Sequence, residues 1–164
     1  PNIPPMLEAH YSVPLAGGVL VAINTRLSSS EIAYILNHSG AKVLCVDTEL
    51  AELVRPIRAQ LPRLETIINI VDVASGAGLE GPDYDTLLAS GSDVLLDKPV
   101  EDENAPISIN YTSGTTGNPK GVMYTHRSAY LNALDEMLQM GVNSRSTYLW
   151  TLPDRKSQRL NSSH

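Results

Sequence analysis

The sequence contains little of what a disulfide framework, a thiolate metal site or a nucleic-acid surface requires. Cys45 is the only cysteine, so no disulfide can form within the chain and no CxxC pair exists for zinc. A net charge of −6 argues against the basic patch that nucleic acids need, and we expect no nucleic-acid partner. No apolar run is as long as a membrane span.

Phenylalanine is absent as well, so the 42% hydrophobic content must build a core mostly from Leu, Ile, Val and Ala. The length of 164 residues suits about one domain. Cys45 lies in the apolar run KVLCVD, where we expect a buried structural thiol and an intracellular, cytoplasmic setting. The chain starts without Met, so we expect sequence to precede it and a targeting segment to be missing; a peroxisomal location stays open.

The apolar pattern predicts an α/β fold, with a parallel or mixed sheet flanked by helices. Strands are predicted over 19–23, 42–46 and 67–71, separated by a helix capped by Ser28 or Ser29 and by one over roughly 49–61. This β–α–β–α–β order predicts one parallel sheet. Further predicted elements are an N-terminal helix from Pro4 with a break or kink at Pro14, a short helix over 83–91, a helix over 128–140 and a strand over 147–152.

The most informative stretch is YTSGTTGNPKGV, from Tyr111 to Val122. Glycines let backbone N–H groups converge on an anion, hydroxyls add donors, and a lysine adds positive charge. Apolar, strand-like runs flank the stretch on both sides, so a loop held between two strands and gripping a phosphate is the hypothesis that fits. The candidate residues are Thr112, Ser113, Gly114, Thr115, Thr116, Gly117 and Lys120.

Other kinds of site fit the sequence less well. Lys120 stands between Pro119 and Gly121, so the Walker A pattern, which needs Lys followed by Ser or Thr, is absent. GxSxG is absent too. The acidic run 101–103 is typical of a solvated loop, and we expect no metal site there. His126 follows the loop at a strand-to-helix joint, where a structural role and a place near the bound phosphate are equally open.

YTSGTTGNPKGV resembles the phosphate-loop signature of the AMP-forming, adenylate-forming enzymes, which include acyl-CoA synthetases. The resemblance extends over residues 1–153, and the early part of the chain is similar to fatty acyl-CoA synthetases of the short- and medium-chain type. Residues 1–153 are thus expected to be part of the N-terminal, AMP-binding domain of such an enzyme. In the family, a Met-Phe-His motif follows the segment that here ends at Pro153, whereas this chain has Asp154.

The resemblance implies a two-step reaction with ATP, Mg²⁺ and coenzyme A. A carboxylate, here a fatty acid, would attack the α-phosphate of ATP to give acyl-AMP and pyrophosphate, and CoA would then displace AMP. The loop would hold the β- and γ-phosphates through Thr112, Ser113, Thr115 and Thr116, with Gly114 and Gly117 allowing close approach. Lys120 would offset charge on the departing pyrophosphate, and His126 would lie near the acyl or phosphate region.

The adenine, magnesium, ribose and C-terminal lysine motifs of the family have no counterpart among these residues. We therefore expect the isolated chain to be inactive, and its uncovered apolar surface to make it poorly soluble. The alternative is a non-catalytic nucleotide- or phosphate-binding module that uses the same loop without chemistry.

Residues 154–164, DRKSQRLNSSH, differ from the rest of the chain, with three basic residues, one acidic residue and Leu160 as the only large apolar side chain. They resemble a translated sequencing adapter, and a disordered terminus is the alternative. Resequencing the gene should show a different reading frame after Pro153. A genomic frame that encodes DRKSQRLNSSH at this point would contradict the adapter hypothesis.

Overall fold

The computed structural model describes residues 1–72, 76–94, 96, 99–112 and 118–147. Helices and strands alternate along the chain, and the predicted α/β class is confirmed. The helices are α1 (Pro4–Leu15), α2 (Ser29–Ser39), α3 (Ala51–Val54), α4 (Tyr84–Ala89) and α5 (His126–Met140). The strands are β1 (Leu20–Ala22), β2 (Val43–Asp47), β3 (Thr66–Ile70), β4 (Pro106–Thr112) and β5 (Lys120–Thr125).

The strands form two small sheets rather than one. β2 and β3 pair in parallel, while β1 pairs in parallel with β4, which pairs antiparallel with β5. The prediction that the first three strands share one parallel sheet is therefore wrong. β1 has only three residues and takes its partner from a strand more than eighty positions later, with Leu20 opposite Ser108. Local periodicity identifies a strand but not its partner.

The best-packed part of the chain lies between α2 and the β2–β3 sheet. Ile35, which is fully buried, and Leu36 lie on the inner face of α2, and Val46 and Ile67 meet that region from the sheet. Helix α2 starts at a capping box in which the Ser28 N–H donates to Glu31 Oε2 at 2.8 Å. Of the two predicted caps, Ser28 is the one observed, and Gly40 ends the helix with φ +69°.

The helix predicted over 49–61 is broken. It consists of a 3₁₀ turn over Thr48–Leu50, the short α3 and a second 3₁₀ segment over Arg55–Gln60. Pro56 lies in the first turn of that last segment, and proline has no N–H with which to continue an α-helix. At the other end of the chain, α5 begins at His126, two residues before the predicted start, because Thr125 caps it through Ser128.

Apolar residues are exposed at two places in the fold. Leu7 and Tyr11 of α1 are 65% and 72% exposed. Cys45 is also exposed, and the expectation of a buried thiol is wrong. Partial desolvation nevertheless raises the pKa of the Cys45 thiol, which disfavours the reactive thiolate.

Side-chain hydrogen bonds also connect separate elements of the fold. The Tyr84 hydroxyl of α4 donates to Glu8 Oε2 of α1 at 2.6 Å. Burial, followed by the hydrogen bond and charge of Glu8, raises the pKa of Tyr84 to about 12, so this phenol keeps its proton at neutral pH. The Asn69 amide on β3 is buried and donates to the Leu79 carbonyl at 2.9 Å, which holds the segment before α4 against the sheet.

Across the described residues, no helix combines the length and apolar character that crossing a membrane needs. The predicted strand over 147–152 lies outside the described residues except for Thr147, and so does the segment 154–164.

The capping box of α2 gives a stability prediction with a built-in control. Ser28→Ala should lower the free energy of unfolding by about 1 kcal/mol, because the Glu31 N–H loses its acceptor, Ser28 Oγ. Ser29→Ala makes the same chemical change one residue later, at a position without a capping hydrogen bond. Urea unfolding followed by circular dichroism should show a smaller loss for Ser29→Ala. Equal losses in the two variants would contradict the assignment of Ser28 as the cap.

Candidate functional site

The predicted phosphate loop joins the two strands of an antiparallel hairpin. β4 leads into the loop and β5 leads out of it, so the predicted flanking strands are confirmed. Thr112 and Lys120 form the last pair of the ladder, directly opposite each other at the mouth of the loop. Paired residues in an antiparallel ladder lie about 5 Å apart and project from the same face of the sheet. The hairpin therefore presents a hydroxyl and an ammonium group side by side.

Both side chains are accessible to a ligand. Thr112 and Lys120 are exposed, and within the described residues Lys120 makes no ion pair. An exposed ammonium without a carboxylate partner can bind an anion without first breaking a salt bridge. Thr112 and Lys120 are the part of the predicted phosphate-binding site that the structure brings together. The remaining candidates, Ser113, Gly114, Thr115, Thr116 and Gly117, lie outside the described residues.

Gly121 is required by close packing on the other face of the hairpin. It stands opposite Tyr111, and a methyl group on its Cα would lie 3.3 Å from Tyr111 Cζ and 2.8 Å from Ile109 Cγ2. The second distance is too short for a side chain to be added unless the Ile109 side chain moves. The glycine thus lets the Tyr111 ring cross the strand immediately behind the mouth of the loop.

His126 lies at the opposite end of the same strand. It is the first residue of α5, six positions after Lys120, and a strand of this length spans about 20 Å. Its backbone N–H donates to the Ala105 carbonyl at 3.3 Å. The structure therefore does not bring His126 together with Thr112 and Lys120, because β5 runs straight away from the loop.

The acidic run before β4 is used in local interactions. Glu103 pairs with Arg127 at 2.7 Å, and Asp102 Oδ1 accepts from the Asn104 N–H at 2.9 Å. In the described part of the chain, no three His, Cys, Asp or Glu side chains cluster closely enough to hold a metal ion. These residues thus do not fit a protein-held Mg²⁺ site.

A residue that the sequence did not single out contacts the hairpin. His38 of α2 lies with Nδ1 2.7 Å from the Tyr111 hydroxyl, although 73 positions separate them. His38 also stacks on Tyr34, four residues earlier on the same helix, with ring centroids 5.3 Å apart. The spacing of Tyr34 and His38 is a sequence signal for a pair on one helix face. No sequence pattern indicates that Tyr111 joins them.

Comparisons with known proteins identify related sequences and structures. The family model described as AMP-binding enzyme matches residues 1–154. A 4-hydroxybutyrate–CoA ligase of Metallosphaera sedula is 44% identical over 156 residues, which cover 93% of this chain and 28% of that protein. A peroxisomal butyrate–CoA ligase of Arabidopsis thaliana is 40% identical over 164 residues, covering 93% of this chain and 29% of that protein.

A solved structure of an anthranilate–CoA ligase in complex with anthranoyl-AMP superposes with a TM-score of 0.70 at 32% identity. The match covers 76% of this chain and 23% of that one. The chain thus spans less than a third of the length of the relatives it matches. The family match, the sequence identity to CoA ligases and the shared fold all indicate one family. This chain belongs to the family of AMP-binding enzymes.

Proposed function

We propose that this chain supplies the pyrophosphate-binding part of an ATP-dependent, AMP-forming carboxylate–CoA ligase. One observation carries the proposal: Thr112 and Lys120 are paired at the mouth of a glycine- and hydroxyl-rich loop, exposed and on one face. An ammonium and hydroxyl donors in this arrangement suit the β- and γ-phosphates of ATP, which carry the charge of the leaving pyrophosphate.

In the proposed reaction, a carboxylate oxygen attacks the α-phosphorus and the bond to the β-phosphate oxygen breaks. Negative charge then develops on pyrophosphate, where Lys120 and the loop donors stabilise it. The phosphate-binding site would be completed by Ser113, Gly114, Thr115, Thr116 and Gly117. Coenzyme A would then attack the acyl carbon and release AMP. Mg²⁺ would be held by the nucleotide and by residues elsewhere in a longer protein.

The proposed acid is a fatty acid, since two of the relatives named above act on four-carbon acids. A cytoplasmic or peroxisomal location is proposed with it, because one relative is described as peroxisomal. A role for His126 at the acyl side of the site would fit its distance from Lys120 better than contact with the same phosphate.

Replacing Lys120 should affect the two half-reactions unequally. In the complete enzyme, Lys120→Ala should slow acyl-AMP formation by roughly 10²-fold, the usual cost of removing one group that stabilises transition-state charge. Thioester formation from supplied acyl-AMP should change little, because pyrophosphate has already left. Rapid-quench measurement of each half-reaction checks this.

Lys42→Ala is the matched control. Lys42 is also an exposed lysine, but it lies next to β2, where it pairs with Glu65 at 3.5 Å. Its removal makes the same charge change and should leave both half-reactions near the wild-type rates. Equal losses in both half-reactions of Lys120→Ala would contradict the role proposed for Lys120.

The isolated chain should not catalyse exchange of labelled pyrophosphate into ATP with any fatty acid, because it spans less than a third of its relatives. Phosphate binding without exchange is the expected result, detectable by the shift of backbone amide signals near Lys120 on titration with pyrophosphate. Acid-dependent exchange by this polypeptide alone would overturn the proposed inactivity.

A further inference from the structure

Three aromatic rings connect helix α2 to the last residues of β4. Tyr34 and His38 stack with an interplanar angle of 22°, and the His38 ring meets Tyr111 edge-on at 84° with centroids 5.8 Å apart. The Tyr111 hydroxyl completes the contact with a 2.7 Å hydrogen bond to His38 Nδ1. The three rings thus form one continuous group across the space between α2 and the hairpin.

Tyr111 is placed to control the mouth of the loop. It directly precedes Thr112, and its ring lies across Gly121, which directly follows Lys120. A displacement of this ring would therefore shift both strands of the hairpin together. Because neighbouring residues of a strand point to opposite faces, Tyr111 supports the hairpin from behind and leaves the face of Thr112 and Lys120 open to a ligand.

The other end of the ring group is firmly held. Ile32, Ala33, Ile35 and Leu36 of α2 are all buried, and the helix is capped at both ends. Residues with many packed neighbours move little, whereas exposed hairpins rely on fewer restraints. In the described residues of β4 and β5, no side chain is classed as buried. The contact with α2 is thus a restraint from a well-packed element on a weakly packed one.

The protonation of Tyr111 suits this contact. Partial burial, and secondarily the nearby Tyr34 phenol, raise the pKa of Tyr111, so its hydroxyl keeps its proton at neutral pH. The phenol can then donate to Nδ1 whenever that ring nitrogen carries no proton. The hydrogen bond needs no ionised partner, and the exposed edge of His38 faces solvent.

We propose that His38 is a positioning residue for the phosphate loop: through Tyr111 it holds Thr112 and Lys120 in place for the terminal phosphates of ATP. The inference rests on the proposed function, because the positioned groups are those assigned to ATP. Loss of the hydrogen bond should weaken use of ATP while leaving the carboxylate site unaffected.

The test is a double-mutant cycle in the complete enzyme with acid-dependent ATP–pyrophosphate exchange as the assay. His38→Ala and Tyr111→Phe should each lower kcat/KM for ATP about fivefold, the factor that one lost hydrogen bond commonly costs, with the KM of the acid unchanged. The double variant should be no worse than His38→Ala alone, because that change already removes the hydrogen bond that Tyr111→Phe removes.

His38→Asn provides the rescue. Asparagine can place a polar atom near the position of Nδ1. It should therefore restore most of the lost kcat/KM for ATP when Tyr111 is present, and none of it in the Tyr111→Phe background. His10→Ala is the control, since His10 is an exposed helix histidine whose Nδ1 contacts only its own helix, at Met6 O. Its kinetics should match the wild type.

The inference would be overturned if the fold losses in kcat/KM for ATP of the two single variants multiply in the double variant. Unchanged kinetics in both single variants would overturn it as well. Equal rises in the KM of ATP and of the acid would do so too, because they indicate a general loss of structure. Thermal unfolding of each variant identifies that case independently, and Tyr111→Phe, which keeps the ring, covers the case in which His38→Ala fails to fold. Absence of exchange in the wild-type enzyme would instead contradict the proposed function.

Discussion

The antiparallel pairing of β4 with β5 determines the geometry of the site. It places Thr112 opposite Lys120 at the mouth of the loop and Tyr111 opposite Gly121 one pair behind. Since the side chains of a strand alternate between faces, a shift of one position would exchange the ligand-facing and supporting groups. Gly121 contributes to this register, because a side chain there would collide with Ile109 and crowd the ring of Tyr111.

Packing is distributed unevenly around that hairpin. The buried apolar cluster is built by α2, α3, the second 3₁₀ segment and the β2–β3 sheet. The hairpin and α5, in contrast, expose large apolar side chains, among them Met123 at 67% and Leu138 at 84%. Apolar surface of this extent is typical of a face that another part of a protein covers. We therefore propose that the remainder of a longer chain packs against β5 and α5, and that the chain alone is poorly soluble. The hydrogen bond between Tyr111 and His38 connects the hairpin to α2, which belongs to the well-packed part of the chain.

Much of the candidate site could be predicted because its signals are local. A run of glycines and hydroxyls between two strand-like segments predicts a loop held between two strands. The pairing of those strands with each other, and of Thr112 with Lys120, is known only from the structure. The partner of β1 could not be predicted, since it depends on a strand far away in sequence. Nor could the contact of His38 with Tyr111, which exists only once α2 and β4 are side by side. The exposure of Cys45 was missed because an apolar strand indicates burial but does not reveal whether both faces are covered. The role of His126 near the acyl or phosphate region stays a prediction, and β5 carries this residue about 20 Å away from the loop.

We propose that the hairpin loop belongs to an enzyme that transfers AMP to a carboxylate. The direct measurement uses the complete enzyme with ATP, CoA and butyrate labelled with ¹⁸O in its carboxylate, and mass spectrometry of the products. When the carboxylate attacks the α-phosphorus, one of its labelled oxygens becomes the bridge of the acyl-AMP. That oxygen stays with AMP when CoA attacks the acyl carbon and displaces AMP. We expect ¹⁸O in AMP and none in pyrophosphate. Unlabelled AMP, or ADP and labelled inorganic phosphate in its place, would contradict it.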